Sequence, residues 1–194
     1  MSDAATEAGG GLHPEVVAWS EADLGVEGRV LEVVRAPAAV LSTVGEAVDP
    51  TSPEVVQLAA DLVATMRVSP GCVGLAAPQV GVSAQVFCVD VSEHPKTRDH
   101  HGTFVLCNAE VVSASRNEKA REGCMSVPDL TGDVKRGSRL VVRGRLPGSG
   151  REVELSANAF EARCLQHEID HCQGLLFVDR VAGAHAIFAR QTYL

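Results

Sequence analysis

The chain is read as a single α+β domain in which mixed or antiparallel strands pack around one central, metal-binding helix. Three observations lead there. Strand-like runs occupy the middle of the sequence and a helix bearing two histidines follows them, an order typical of α+β architecture. The length of 194 residues suits one hydrophobic core, and no repeat or linker divides it. The helix also carries Gln166-His167-Glu168-Ile169-Asp170-His171, a pattern that needs surrounding structure to complete its chemistry.

Composition narrows the classes. Hydrophobic residues make up 45% of the chain and aromatics only 4%, so Val, Leu and Ala must build the core. The formal charge of −8 argues against indiscriminate binding to nucleic acid or to an anionic membrane. No apolar run is long enough to span a bilayer. The start of the chain carries Asp3 and Glu7 and lacks the apolar centre of a secretion signal, so a cytoplasmic protein is expected. Six irregularly spaced cysteines then read as reduced thiols, one of them a candidate metal ligand.

Residues 1–28, rich in Gly, Ala and Glu, are expected to form a flexible extension, with 29–194 as the catalytic domain. Residues 29–34 alternate weakly and predict a short strand. Ser52-Pro53-Glu54 offers an N-cap, a proline at the first helical position and an early acid. The stripe Val55, Val56, Leu58, Ala59, Leu62, Val63, Met66 then repeats at helical spacing, and Gly71 ends it. The small-residue stretch 71–81 by itself reads as a surface turn, although small residues there also let the backbone approach a ligand, with Gln79 as a polar handle.

Residues 84–91 predict a buried strand and 103–112 another. The polar segment between them, with His94, His100 and His101, reads as a solvated loop. Residues 139–146 and 151–155 flank Pro147-Gly148-Ser149-Gly150 as a β-hairpin. Lys135, Arg136, Arg139, Arg143, Arg145 and Arg151 cluster here and are assigned to the outer face of strands, with RNA contact as the minor reading. The central helix should run from Asn158 to His171 and stop at Gly174, and 178–190 suggests a last short helix.

Histidines four apart lie on one helical face, and Glu168, about 100° round from His167, stays off the ligand line yet near a water bound between them. That suits metal-assisted hydrolysis, in which an ion acidifies water and a carboxylate takes its proton. A catalytic site of this kind wants three protein ligands. The extended pattern H-E-x-x-H-x-x-G-x-x-H fails because Phe177 holds its final position, and no glutamate follows Glu168. Asp179 and His185 are weak third ligands. Cys124, in a glycine-relieved Glu122-Gly123-Cys124 loop, is the stronger one, ahead of Cys164, which would point too nearly parallel to the histidines.

Three ordered motifs now carry a resemblance. Cys72-Val73-Gly74-Leu75-Ala76-Ala77-Pro78-Gln79, Glu122-Gly123-Cys124-Met125-Ser126 and Gln166 to His171 together resemble peptide deformylase. The resemblance implies removal of the N-formyl group from the formylmethionine of newly made polypeptides, with release of formate. It implies Cys124, His167 and His171 as ligands of one divalent ion, Fe(II) by preference with Zn(II), Ni(II) or Co(II) as substitutes. Glu168 would be the general acid and base, and the Gln79 side chain and Met125 N–H would hold the formyl oxygen. The Gly74 backbone would bind the peptide, and Val73, Glu122 and Cys164 would line a methionine pocket. Cys72 stands where the family has a glycine, and Met125 where leucine is usual. After Val178 only Arg180 and Arg190 are Lys or Arg, so the basic C-terminal helix that docks some members on the ribosome is not expected, leaving only transient proximity to it. The competing readings are an H-E-x-x-H metallopeptidase and a non-catalytic metal-binding module.

Overall fold

The computed structural model describes residues 24–191, so most of the expected extension at 1–28 lies outside the described residues. Among the described residues the main elements are α1 (Pro53–Val68), β1 (Gly74–Ala76), β2 (Val86–Val89), β3 (Phe104–Cys124), β4 (Val127–Arg145), β5 (Glu152–Asn158), α2 (Ala159–Cys172) and β6 (Ile187–Ala189). The strands run β1-β2-β3-β4-β5, with β6 on β4, and every one of these pairings is antiparallel. The expected α+β class is correct, and the sheet is the antiparallel one of its two forms.

Helix α1 starts as its sequence dictates. Ser52 Oγ accepts from Val55 N at 3.3 Å and Pro53 occupies the first turn, satisfying one backbone donor and removing another. The helix buries Ala59, Leu62, Val63 and Met66 against Leu75, Val86, Cys88, Val105 and Cys107. Helix α2 covers the opposite face, where Ala162, Leu165, Ile169 and Cys172 meet Phe87, Val89, Phe104 and Leu106. Alternate residues of β2 therefore face different helices, which is why Val86–Val89 is an unbroken apolar run. Leu62 and Leu165 are fully buried, so truncating either to Ala should cost about 2–5 kcal/mol.

Several expectations are corrected. Residues 29–34 form no strand. They lie extended across α1, with Arg29 N donating to Asp61 Oδ1 at 2.8 Å and Leu31 N to Thr65 Oγ1 at 2.9 Å, so side chains replace a ladder. The stretch 71–81 is not a surface turn. It contains β1 and a 3-10 turn over Ala77–Val80, and Leu75 to Gln79 are buried. The strand expected at 103–112 continues to Cys124; its exposed polar residues from Glu110 to Arg121 hide it from hydropathy patterns. Glu122-Gly123-Cys124 is accordingly the end of a strand rather than a tight loop.

The expected last helix is also absent. Residues 177–190 form two 3-10 turns, Phe177–Arg180 and Ala184–Ala186, followed by β6, with Gly183 at φ 153° between the turns. Nor is the histidine segment wholly solvated. His101 Nδ1 lies 2.9 Å from Glu161 Oε2, and His94 stacks on Phe160 with centroids 3.7 Å apart. In the basic cluster Arg143 and Arg145 are surface residues, but Arg136 is buried.

Candidate metal centre and cleft

Helix α2 projects His167 and His171 from one face, and the turn between β3 and β4 brings Cys124 to them. Cys124 Sγ lies 3.3 Å from His171 Nε2, which lies 3.2 Å from His167 Nε2. All three ligand atoms fall within 4.8 Å of one another. Donors about 2.0–2.3 Å from a tetrahedral ion would stand about 3.4 Å apart, so this set fits a small divalent cation. A second observation agrees. Glu168 Oε2 is buried and finds no hydrogen-bond partner among the described residues, as a carboxylate waiting for a water proton would.

The charges around the centre are fixed by Glu122 and Asp170 together with Arg136, Arg163 and Arg180, three arginines to which the sequence motifs give no site role. Glu122 Oε2 lies 3.0 Å from His167 Nδ1, while Arg136 Nε and Arg163 Nη1 each donate to Glu122 Oε1 at 2.7 Å. Arg136 Nη1 donates to Asp170 Oδ2 at 2.7 Å, and Arg180 Nη2 donates to Asp170 Oδ1 at 2.6 Å. Burial alone would raise the Glu122 carboxyl, but its bonds with His167 and Arg136 outweigh this and hold it down at about 2. Burial pushes Glu168 up to about 7, against the pull of His167 and Arg136. Burial, with the neighbouring His167, holds His171 well below the usual histidine range, which keeps it neutral for ligation.

Gln79 sits under the centre. Its Oε1 accepts from Ala76 N at 3.0 Å, which fixes the amide so that Nε2 points to Cys124 Sγ at 3.3 Å and Ser126 Oγ at 3.4 Å. Gly74 lies above Glu168; a Cβ built there would stand 2.6 Å from Glu168 Oε1 and 2.9 Å from Cys164 Sγ. Cys72, just before β1, donates its thiol to Gly74 O at 3.1 Å. Burial pushes that thiol up to about 12, so it stays protonated.

One cleft of about 230 Å³ is lined by Val73, Gly74, Gln79, Glu122, Cys124, Met125, Cys164, His167 and Glu168, so nine of the ten residues singled out by sequence meet there. The tenth, His171, is 1% exposed and backs the cleft. Cys164 turns away from the centre and donates to Val73 O at 3.4 Å. Glu122 does line the cleft, but its carboxylate serves His167, Arg136 and Arg163. The weak ligand candidates are elsewhere: Asp179 Oδ2 accepts from Leu176 N, and His185 lies in an exposed turn. Phe160 and Arg163, which also line the cleft, were not marked as site residues by any motif.

Residues 30–186 match the model of the family described as polypeptide deformylase. A peptide deformylase of Halothermothrix orenii is 40% identical over 152 residues, covering 78% of this chain and 94% of the relative. One from Desulforudis audaxviator is 41% identical over 152 residues, covering 78% of this chain and 93% of its own length. Among solved structures, the peptide deformylase of Thermotoga maritima superposes with a TM-score of 0.71 at 29% identity, covering 80% of this chain and 99% of that one. The Met-Ala-Ser-bound class I type b peptide deformylase of Acinetobacter baumannii gives 0.72 at 34% identity, covering 79% and 99%.

Proposed function

Because this chain belongs to the polypeptide deformylase family, we propose that it hydrolyses the N-formyl group from the N-terminal formylmethionine of newly made polypeptides and releases formate. The observation that carries the reading is the Cys124–His167–His171 group with the partnerless Glu168 Oε2 beside it. A divalent cation held by these three residues supplies Lewis acidity, which lowers the pKa of water from 15.7 toward about 7.

The chain's own residues supply the rest. Glu168, pushed up to about 7, takes the proton from the attacking water as oxygen adds to the formyl carbon. Gln79 Nε2 and the Met125 N–H donate to the formyl oxygen as it gains negative charge, each worth about 3 kcal/mol. Glu168 then passes the proton to the departing amine, the C–N bond breaks, and formate and a free N-terminal methionine result. The Gly74 backbone holds the peptide. Val73 and Cys164, with Glu122 at the edge, bound the space for the methionine side chain, whose apolar contacts discriminate by about 1–3 kcal/mol per methylene.

The cation we assign is Fe(II), on the strength of the family resemblance, with zinc, nickel or cobalt able to replace it. The activity belongs to the cytoplasm, where nascent chains emerge. Among the described residues no helix is long and apolar enough to cross a membrane. Proximity to the ribosome would be transient. Purification without oxygen, followed by metal analysis and formate release from a formyl-Met-Ala-Ser peptide, tests the reading. Formate release that tracks iron content is the expected result, and no release with any of the four metals would overturn it.

A further inference from the structure

One face of helix α2 lines the cleft from the buried centre to the mouth. Glu168 and His167 stand at the inner end, Cys164 comes next, and Phe160 lies one turn further out. Four residues of helix span about 6 Å. In an extended peptide the first and third side chains point the same way and stand about 6.7 Å apart. A chain whose formyl group sits at Glu168 and whose methionine lies over Cys164 thus brings its third side chain to Phe160.

Phe160 presents a stacked pair of rings there. The His94 ring lies 7° from parallel with it at 3.7 Å between centroids, and both residues line the cleft. Phe160 packs against the core, yet both rings are only half-buried and keep surface to cover. The pair is fixed by the fold. His94 N–H donates to Val91 O at 3.1 Å, and Lys96 N–H donates to His94 Nδ1 at 3.3 Å. Thr97 Oγ1 closes the turn by donating to Val91 O at 2.7 Å. Further along the same segment, His101 N–H donates to Glu161 Oε1 at 2.9 Å and Asn158 Nδ2 donates to Asp99 Oδ2 at 3.2 Å. Asn158, Phe160 and Glu161, around the start of α2, therefore each grip the segment. Burial, with Lys96 nearby, holds His94 below the usual histidine range, which leaves the ring uncharged at neutral pH. A neutral imidazole on a phenyl ring offers a flat surface suited to another ring.

We propose that His94 and Phe160 form a subsite that favours an aromatic side chain at the third residue of the formylated peptide. The inference rests on the deformylase reading. In an extended chain the second side chain faces away from α2, so the stack does not read it. A ring-on-ring contact of this kind is worth about 2- to 10-fold in a rate ratio. The gain should appear in KM, because the rings lie away from the reacting carbon and hold the substrate equally before and during the chemical step. Stacking that served only to hold the loop would instead affect every peptide alike.

The test measures kcat and KM for formate release by the metal-loaded chain from four peptides. These are formyl-Met-Ala-Phe-amide, formyl-Met-Ala-Ala-amide, formyl-Met-Ala-Asp-amide and the transposed formyl-Met-Phe-Ala-amide. The expected kcat/KM is about 2- to 10-fold higher for Phe than for Ala at the third position, carried by KM, with no such gain from the transposed peptide. In His94→Ala the Phe-to-Ala ratio should fall toward one, and in His94→Phe, which restores a ring, it should return. Phe160→Leu reports the same ratio should the segment not hold without His94. Equal kcat/KM for Phe and Ala at the third position overturns the subsite. So does an Asp peptide that exceeds the Phe one, or a larger gain from Phe at the second position. A loss in His94→Ala that is the same for every peptide assigns the stack to loop anchoring and overturns the subsite as well. No formate from any peptide overturns the deformylase reading itself.

Discussion

Glu122 Oε2 stands 3.0 Å from His167 Nδ1, which leaves Nε2 as the histidine nitrogen directed at Cys124 and His171. This one contact orients the ring and sets its tautomer, and the carboxylate is itself pinned by Arg136 and Arg163. Helix α2 and strand β3 are locked together at the point where their ligands meet.

Removing that contact should loosen the cation without unfolding the chain. Glu122→Gln is expected to weaken metal affinity about 10–100-fold, measured by competition with a chelator. Unchanged affinity would remove Glu122 from the positioning of His167.

The same carboxylate gives a pH signature. Its folded value is held down at about 2 against an ordinary 4.5, so it contributes stability that is fully present above 4.5 and is lost as pH falls toward 2. Urea midpoints between about pH 2 and about pH 6 should therefore fall more steeply in the unaltered chain than in Glu122→Gln. Parallel curves would contradict the depressed value.

How much of this was readable beforehand differs by element. Helix α1 was legible because its cap, proline and apolar stripe agree locally. The ligand set was legible because its motifs are short and chemically demanding. The arginines that hold Glu122 and Asp170 were not, because a lone Arg136 within a polar strand looks like any solvent-facing residue until the fold buries it. Strand β3 was half missed, since its outer part presents exposed polar side chains and its pairing with β4 is a backbone property. Strand β6 reads as helix in the sequence because three residues carry too little periodicity to decide.

Gly74 offers a steric test. A methyl group there would lie 2.6 Å from Glu168 Oε1, so Gly74→Ala should displace the carboxylate and lower kcat while metal content is kept. A loss of about 10-fold or more is expected for a misplaced proton carrier. Formate release at saturating peptide, on protein of measured metal content, decides it, and full activity would show that Glu168 tolerates the shift.

The two candidate thiols separate cleanly. Cys124 Sγ lies with the His167 and His171 nitrogens within 4.8 Å of one another, whereas Cys164 Sγ donates to Val73 O. Cys124→Ser should lose most of its metal, and Cys164→Ser should retain it and show an altered KM. The reverse pattern of metal content would overturn the assignment of the centre.

Glu168 is proposed to move the proton without holding the cation. The most direct measurement takes metal stoichiometry and formate release on one preparation of Glu168→Ala. Metal content equal to that of the unaltered chain, with kcat down about 10²–10⁴-fold, is the expected result. Metal lost along with activity, or activity within about 10-fold of the unaltered chain, would contradict it.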